Sequence, residues 1–154
     1  MADNYIQFSE GLYVTPEQST WLKARIAEIE STEDQAILER YEVQILSDEN
    51  PLDFQVKFGP DGDDDSVWFY AEESGNPWQV AILVQDMFRH FKDHQSSFAI
   101  SWSMSCSKPR EAEFGGGTYF VTAETIEVCD SHSFRDEKIR DWQLKGPEQE
   151  SKNS

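Results

Sequence analysis

Apolar side chains alternate with small ones along the segment FAISWSMSC, residues 98–106. Five apolar residues from Phe98 to Cys106 are separated by Ala99 and three serines. Because successive side chains of a β-strand point to opposite faces, this pattern predicts a long strand with one buried face. A buried face must be covered by a second layer, so the chain is expected to form a layered fold that contains a sheet.

The covering layer is predicted immediately upstream, in the segment NPWQVAILVQDMFRHF. Asn76 is a favourable helix cap, Pro77 fits the first helical position, and Gln79 is predicted to complete a capping box. Apolar residues from Val80 to Phe91 then recur at helical spacing. This segment is predicted to be the main helix of the fold.

An earlier helix is predicted in TPEQSTWLKARIAEIE, where Thr15 and Gln18 match a capping box and Pro16 opens the helix. STEDQAILER predicts a second, short helix, and FRDEKIRDWQLK a short terminal one. DFQVKFG and SVWFYAE predict two strands joined by the acidic turn GPDGDDDS. GTYFVTAETIEV predicts one further strand.

These segments predict an α+β fold with two layers. The sheet is expected to be mainly antiparallel with four or five strands, and two main helices are expected to pack on one of its faces. Residues 1–145 are predicted to form a single domain. Residues 146–154, GPEQESKNS, are predicted to be a disordered polar tail.

The charge of the chain limits the partners that it can bind. Thirteen Lys and Arg residues against 30 Asp and Glu give a net charge of −17, although 38% hydrophobic residues are enough for a core. Nucleic acids and anionic membranes would be repelled, whereas a basic protein would be attracted. The chain shows no signal-peptide pattern and no span long enough for a membrane, so a cytoplasmic location is expected.

Most of the negative charge comes from one region. Residues 28–73 hold fifteen acidic and two basic residues, a net charge of −13. Two interpretations stay open for this region, a solvated face that aids solubility and a surface that binds a basic partner. The predicted partner-binding acids are Asp61, Asp63, Asp64, Asp65, Glu72 and Glu73.

Calcium is a weaker alternative for the acidic turn. Asp61, Asp63, Asp65 and Glu72 match positions 1, 3, 5 and 12 of an EF-hand loop. However, Ser66 stands where that loop needs glycine, and the flanking segments predict strands rather than helices. A solvated hairpin tip is therefore favoured over a calcium site.

The segment CSKPREAEFGGG is too long for a tight turn between two strands. It carries Lys108 and Arg110, a basic pair that can bind an anion or a carboxylate. Its glycines Gly115, Gly116 and Gly117 permit close backbone approach and can present backbone N–H groups to such a ligand. Two interpretations stay open here: a structural connection with a glycine bulge, and a loop that binds a partner.

Three motifs in this half of the chain resemble a known pattern. WFYAEESGNP, CSKPR and EFGGG followed by VTAE are similar to segments of small uncharacterised proteins of bacteria and mobile elements. The resemblance covers residues 67–123. It implies one intracellular domain, and it assigns no catalytic residue because no activity is known for the group.

Histidines and cysteines define a candidate zinc site. His90 and His94 are four residues apart near the end of the main predicted helix, and Cys129 and His132 form a C-x-x-H pair. The alternative is that the two histidines are favourable cations at a helix C-terminus. Cys106 is a candidate reactive thiol, although a cysteine at the end of an apolar strand face is more often part of the core.

The sequence therefore favours a non-enzymatic protein that binds or inhibits a basic protein partner. The partner is expected to handle nucleic acid, so that the chain acts as a nucleic-acid mimic against a defence system or as an immunity-type protein. The alternative is a zinc- or thiol-dependent enzyme that uses Cys106, Cys129 and the nearby histidines. No cofactor is expected in the first case.

Overall fold

A computed structural model describes residues 4–43, 51–59, 65–106 and 114–152. The chain forms an α+β fold with six strands and four helices in these ranges. The elements are β1 (Asn4–Tyr13), α1 (Pro16–Ser31), α2 (Gln35–Arg40), β2 (Gln55–Phe58), β3 (Ser66–Ala71), α3 (Pro77–His90), β4 (Phe98–Cys106), β5 (Gly115–Val121), β6 (Ile126–Asp130) and α4 (Ser131–Lys152).

The strands form one antiparallel sheet in the order β2-β3-β1-β4-β5-β6. This confirms the α+β class and the antiparallel sheet, but the sheet has six strands, so the expectation of four or five is wrong. Two features of the sequence caused the error. The sequence of β1 carries no clear strand pattern, and the segment GTYFVTAETIEV contains two strands rather than one.

β1 is a central strand that pairs with both β3 and β4. Phe8 is buried and lies opposite Ala71 on one side and Trp102 on the other. Glu10 and Gly11 interrupt the apolar alternation of this strand. The strand is stabilised instead by its pairing with two neighbours that are distant in sequence. Local patterning therefore under-predicts it.

One face of the sheet is lined by buried apolar side chains that form part of the hydrophobic core. The strand residues Val67, Phe69, Ile100 and Val121 are all fully buried. In β4, Phe98 and Ile100 are buried and Trp102 is half-buried, whereas Ser101 and Ser103 are exposed, so the predicted faces of that strand are confirmed. α3 contacts β4 and β5, and α1 contacts α3.

α3 begins as predicted, with the Asn76 side chain accepting a hydrogen bond from the backbone N–H of Trp78 (3.1 Å). The predicted role of Gln79 in a capping box is wrong. Gln79 is buried, and its amide donates to the carbonyls of Tyr41 and Pro51 and accepts from the N–H of Asp53. This side chain therefore ties the end of α2 and residues 51–53 to the start of α3.

α4 is longer than the short helix that its sequence predicts. It extends to Lys152 and so includes residues 146–152, which were assigned to the polar tail. The Asp130 carboxylate accepts hydrogen bonds from the N–H and the hydroxyl of Ser133, which stabilises the first turn. The division between a domain and a tail stays a prediction.

Candidate protein-binding surface

Asp86 on α3 is the shared ion-pair partner of two arginines from the α1–α2 region. Arg40 donates to both of its carboxylate oxygens in a forked pair, and the Tyr41 hydroxyl donates to Oδ2 at 2.5 Å. Arg25 lies 3.9 Å from the same oxygen and donates through Nε to the Tyr41 hydroxyl oxygen (3.3 Å). Two arginines of this region are thus held over one carboxylate.

Burial and the hydrogen bond to Asp86 together raise the pKa of Tyr41 well above its ordinary value. The hydrogen bond to Asp86 also raises the pKa of Arg40. The phenol therefore stays neutral and the guanidinium stays charged at physiological pH. Lys23, the remaining base of α1, lies 5.1 Å from the centre of the Phe58 ring.

Arg40 binds Asp86 and Arg25 is shared between Asp86 and Glu28, which leaves an acidic surface around the C-terminal ends of α1 and α2. We call this surface the acidic ridge, and its members are the exposed residues Glu30, Glu33, Glu39 and Glu42. In the ranges that the structure describes, none of the four forms an ion pair. Their negative charge therefore faces solvent without a neutralising partner.

For Glu30 and Glu39, the position of the charge is unfavourable for the helix that carries it. The C-terminus of a helix carries a partial negative charge, which attracts cations and repels anions. The last turn of α1 contains no base, and Glu30 lies within it. Glu42, just past α2, adopts a left-handed backbone (φ = 52°), a conformation that favours glycine over glutamate. Stability alone therefore does not account for the glutamates at these positions.

The predicted acidic residues are divided between two ends of the sheet. Asp65 precedes β3, whereas Glu72 and Glu73 follow it, so they are separated by roughly 20 Å at about 3.3 Å per residue. α3 begins four residues after Glu73, and Gln79 in its first turn binds the carbonyl of Tyr41 at the end of α2. Glu72 and Glu73 therefore lie at the same end of the molecule as the acidic ridge. Asp61, Asp63 and Asp64 lie outside the described residues.

A shallow groove of about 550 Å³ separates the acidic ridge from the C-terminal end of α3. The Trp21 ring packs on His90 at its edge, with 5.4 Å between ring centres. The groove is lined by Trp21, Ala24, Arg25, Glu28, Arg40, Asp86, Arg89 and His90. Three of these residues are arginines, so the groove is less acidic than the ridge beside it.

The glycines of the segment EFGGG allow close packing of the backbone. A side chain at Gly116 would collide with the carbonyl oxygen of Trp102, and one at Gly117 would lie 2.6 Å from the Trp102 ring. The N–H of Gly116 donates to the Ser131 hydroxyl at 3.0 Å. These contacts supply a structural reason for the glycines. Lys108 and Arg110 lie outside the described residues, so the binding role of this loop stays a prediction.

The four candidate zinc ligands are not gathered in one place. α3 ends at His90, so His94 lies beyond the helix, where Nδ1 is 2.5 Å from the Glu124 carboxylate. His132 Nε2 is 2.8 Å from the carbonyl oxygen of Phe114. Across the described ranges, no three His, Cys, Asp or Glu side chains are close enough to hold a metal ion.

The strand pairing also separates the two cysteines. Cys106 lies at the end of β4 opposite Asn4, and Cys129 lies on β6 opposite Thr118. Thr118 pairs in turn with Ser101, which is five residues from Cys106 along β4, so the two cysteines are far apart in the sheet. Cys129 is exposed, as a reactive thiol would be, but neither cysteine lines the groove described above.

The fold and the surface define a small acidic α+β protein whose clearest surface feature is the acidic ridge. Comparison with known proteins finds no matching family model, no significantly similar curated protein and no significantly similar solved structure. No helix in the described ranges combines the length and hydrophobicity needed to cross a membrane. Any functional proposal therefore depends on the residues of this chain.

Proposed function

We propose that the protein is a non-enzymatic binding or inhibitory protein whose acidic ridge docks on a basic protein. The supporting observation is that Arg40 binds Asp86 and Arg25 is shared between Glu28 and Asp86, which leaves Glu30, Glu33 and Glu39 without an ion pair at the surface. Acidic side chains at helix C-termini reduce helix stability, so their presence is better explained by binding than by folding. In this proposal, α1 and α3 cover one face of the sheet and hold the ridge rigidly.

The basic partner is proposed to handle nucleic acid. Carboxylates on a rigid surface can take the place of backbone phosphates toward the Lys and Arg residues of such a protein. This chemistry fits both an inhibitor that mimics nucleic acid and an immunity-type protein that blocks a basic nuclease. Glu72 and Glu73 extend the same end of the molecule, and Asp65 lies at the opposite end of β3. Asp61, Asp63 and Asp64 stay predicted members of a second acidic surface.

The experiment is capture of partners from native lysate, followed by binding kinetics with the captured protein. A ridge variant replaces Glu30, Glu33, Glu39 and Glu42 with glutamine. The charge-matched control replaces Glu17 and Glu137 with glutamine and Asp136 and Asp141 with asparagine, all of which are exposed away from the ridge. Both variants have a net charge of about −13, so a difference between them reflects position and not total charge.

We expect the ridge variant to associate at least about tenfold more slowly than the wild type, and the control to lose much less. The wild-type association rate should also fall steeply with ionic strength. Equal losses in the two variants would show that only net charge matters and would contradict the ridge proposal. If only an Asp65→Asn variant associated more slowly, the interface would lie at the β2–β3 turn and not at the acidic ridge.

A further inference from the structure

We propose that α4 docks on the β6 edge of a second copy of this chain, so that the protein forms a two-fold symmetric dimer. α4 follows β6 directly and is about 33 Å long at 1.5 Å per residue. Its apolar side chains are open to solvent, with Phe134 54% and Trp142 65% exposed. A helix of this kind is marginal in water without a packing partner.

One face of α4 combines apolar and basic residues. In a projection down the helix axis, with 100° between successive residues, six apolar or basic residues fall within an arc of 140°. No acidic residue between positions 131 and 145 falls within this arc. The Lys138 ammonium lies 5.5 Å from the centre of the Phe134 ring, which confirms that these two share the face. The residues of this basic–apolar face are Phe134, Arg135, Lys138, Ile139, Trp142 and Lys145.

The complementary surface is present on the same chain. β6 is the last strand of the sheet, and the exposed side chains of Phe120 and Glu127 lie directly opposite each other in the β5–β6 ladder, so they share one face of this edge. No basic residue occurs between 114 and 130. The basic–apolar face of α4 and the acidic, apolar β6 edge therefore match in both charge and hydrophobicity.

The distribution of charge favours a second copy over other acidic partners. Residues 1–130 carry a net charge of −17, whereas residues 131–152, which form α4, carry no net charge. α4 is thus the element through which two acidic bodies can approach with least repulsion. A nucleic acid backbone offers no apolar surface for Trp142 and Phe134, and an anionic membrane repels the acidic body.

A two-fold arrangement also gives an interface of sufficient size. Each large apolar side chain on the face can bury roughly 100 Å², and the stems of the lysines and arginine add to this. Two reciprocal contacts, counted on both copies, reach about 1,500–2,000 Å², which is typical of stable complexes. Because the contact is reciprocal, it closes on two copies and does not propagate.

The test measures oligomeric state by sedimentation velocity between about 1 and 100 μM protein, a range in which dimers of ordinary affinity are populated. The docking variant combines Lys138→Glu with Trp142→Ser. The matched control combines Arg140→Glu with Leu144→Ser, the same types of change on the other side of α4. Circular dichroism verifies that each variant keeps its helical content.

We expect the wild type and the control to be dimers. In the docking variant the dissociation constant of the dimer should rise about 30-fold or more, so that the monomer predominates. Phe120→Ser with Glu127→Lys should weaken the dimer in the same way, because it alters the acceptor edge. A wild-type monomer at 100 μM, or a docking variant that dimerises normally, would overturn the proposal. So would a monomer that binds vesicles containing phosphatidylserine through α4.

Discussion

At the scale of single residues, Asp86 connects the stability of the fold with its surface charge. It is the shared partner of Arg40 and Tyr41, and its side chain is only 13% exposed. By holding these groups inward, it determines which charges face solvent. Its position on α3 is 46 residues from Arg40, so no local sequence pattern reveals the pair.

Replacing Asp86 with alanine should destabilise the protein by about 2 kcal/mol. The change leaves Arg40 and the Tyr41 hydroxyl partly buried without their acceptor, and the partial exposure of the arginine limits the cost. Urea unfolding measures the change in free energy. The control is Glu28→Gln, which removes the exposed partner of Arg25 and should cost less than about 0.5 kcal/mol. Similar costs for both variants would show that the Asp86 cluster is not a structural centre.

Gly117 packs directly under the ring of Trp102, which is half-buried rather than fully buried as its place on the apolar face predicts. Gly117→Ala should therefore cost about 1–3 kcal/mol through overpacking. Gly11→Ala is the control, because an added methyl group there meets only one atom, at 3.8 Å, and should be neutral or slightly stabilising. Thermal unfolding of both variants measures the difference. A harmless change at Gly117 would remove the structural explanation for this glycine.

At the scale of elements, the sequence predicted those that carry their own local signals. α1 and α3 have helix caps and proline at their first turns, and the capping box formed by Thr15 and Gln18 in α1 is confirmed. β4 has strict alternation along its length. Elements that depend on distant neighbours were missed or merged, as β1 and the β5–β6 hairpin show. The hairpin turn depends on hydrogen bonds between Thr122 and Thr125, for which the sequence has no glycine or proline signal.

The same distinction applies to the candidate surface. The sequence predicted an acidic surface within residues 28–73 and assigned the binding role to Glu72, Glu73 and the aspartates of the β2–β3 turn, because consecutive aspartates are conspicuous there. The acidic ridge depends on where Arg25 and Arg40 point, which tertiary packing decides. One local signal was nevertheless available, since the last turn of α1 contains glutamate and no base.

The first turn of α4 should be sensitive to acid. The N–H of Ser133 donates to Asp130 and lowers the pKa of that carboxyl below its ordinary value. A lowered pKa in the folded state means that the stabilisation is complete above the unfolded pKa of about 3.9 and is lost as the pH falls through the folded value. Hydrogen exchange at Phe134 and Arg135 should therefore become faster, relative to its intrinsic rate, below about pH 4. In Asp130→Ala, these amides should exchange fast at every pH. If they keep wild-type protection, Asp130 does not cap α4.

At the scale of the whole molecule, a net charge of −17 is itself a cost to folding. Like charges repel one another in the compact state, and the repulsion between exposed groups is screened over about 8 Å at physiological ionic strength. Added salt should therefore raise the melting temperature. A binding surface built from unpaired carboxylates contributes to this repulsion while the partner is absent, so binding and stability are opposed at the acidic ridge.

Neutralising the acidic ridge should therefore stabilise the protein while it removes binding. Glu30 and Glu39 lie in the last turns of their helices, where each glutamate costs about 0.3–1 kcal/mol relative to a neutral residue. The variant with glutamine at Glu30, Glu33, Glu39 and Glu42 should gain about 1 kcal/mol in unfolding free energy at low salt. The gain should shrink in 0.5 M NaCl, because screening weakens the same repulsion.

The charge-matched control separates this effect from the reduction in total charge. It includes Glu17, which lies in the first turn of α1 and stabilises that helix, so neutralising it should offset the general relief of repulsion. Urea unfolding of the three proteins at two salt concentrations measures both effects. If the control gains as much stability as the ridge variant, the ridge carboxylates are ordinary members of a charged surface. A ridge variant that is less stable than the wild type would mean that these glutamates support the fold, which would remove the argument that they are present for binding.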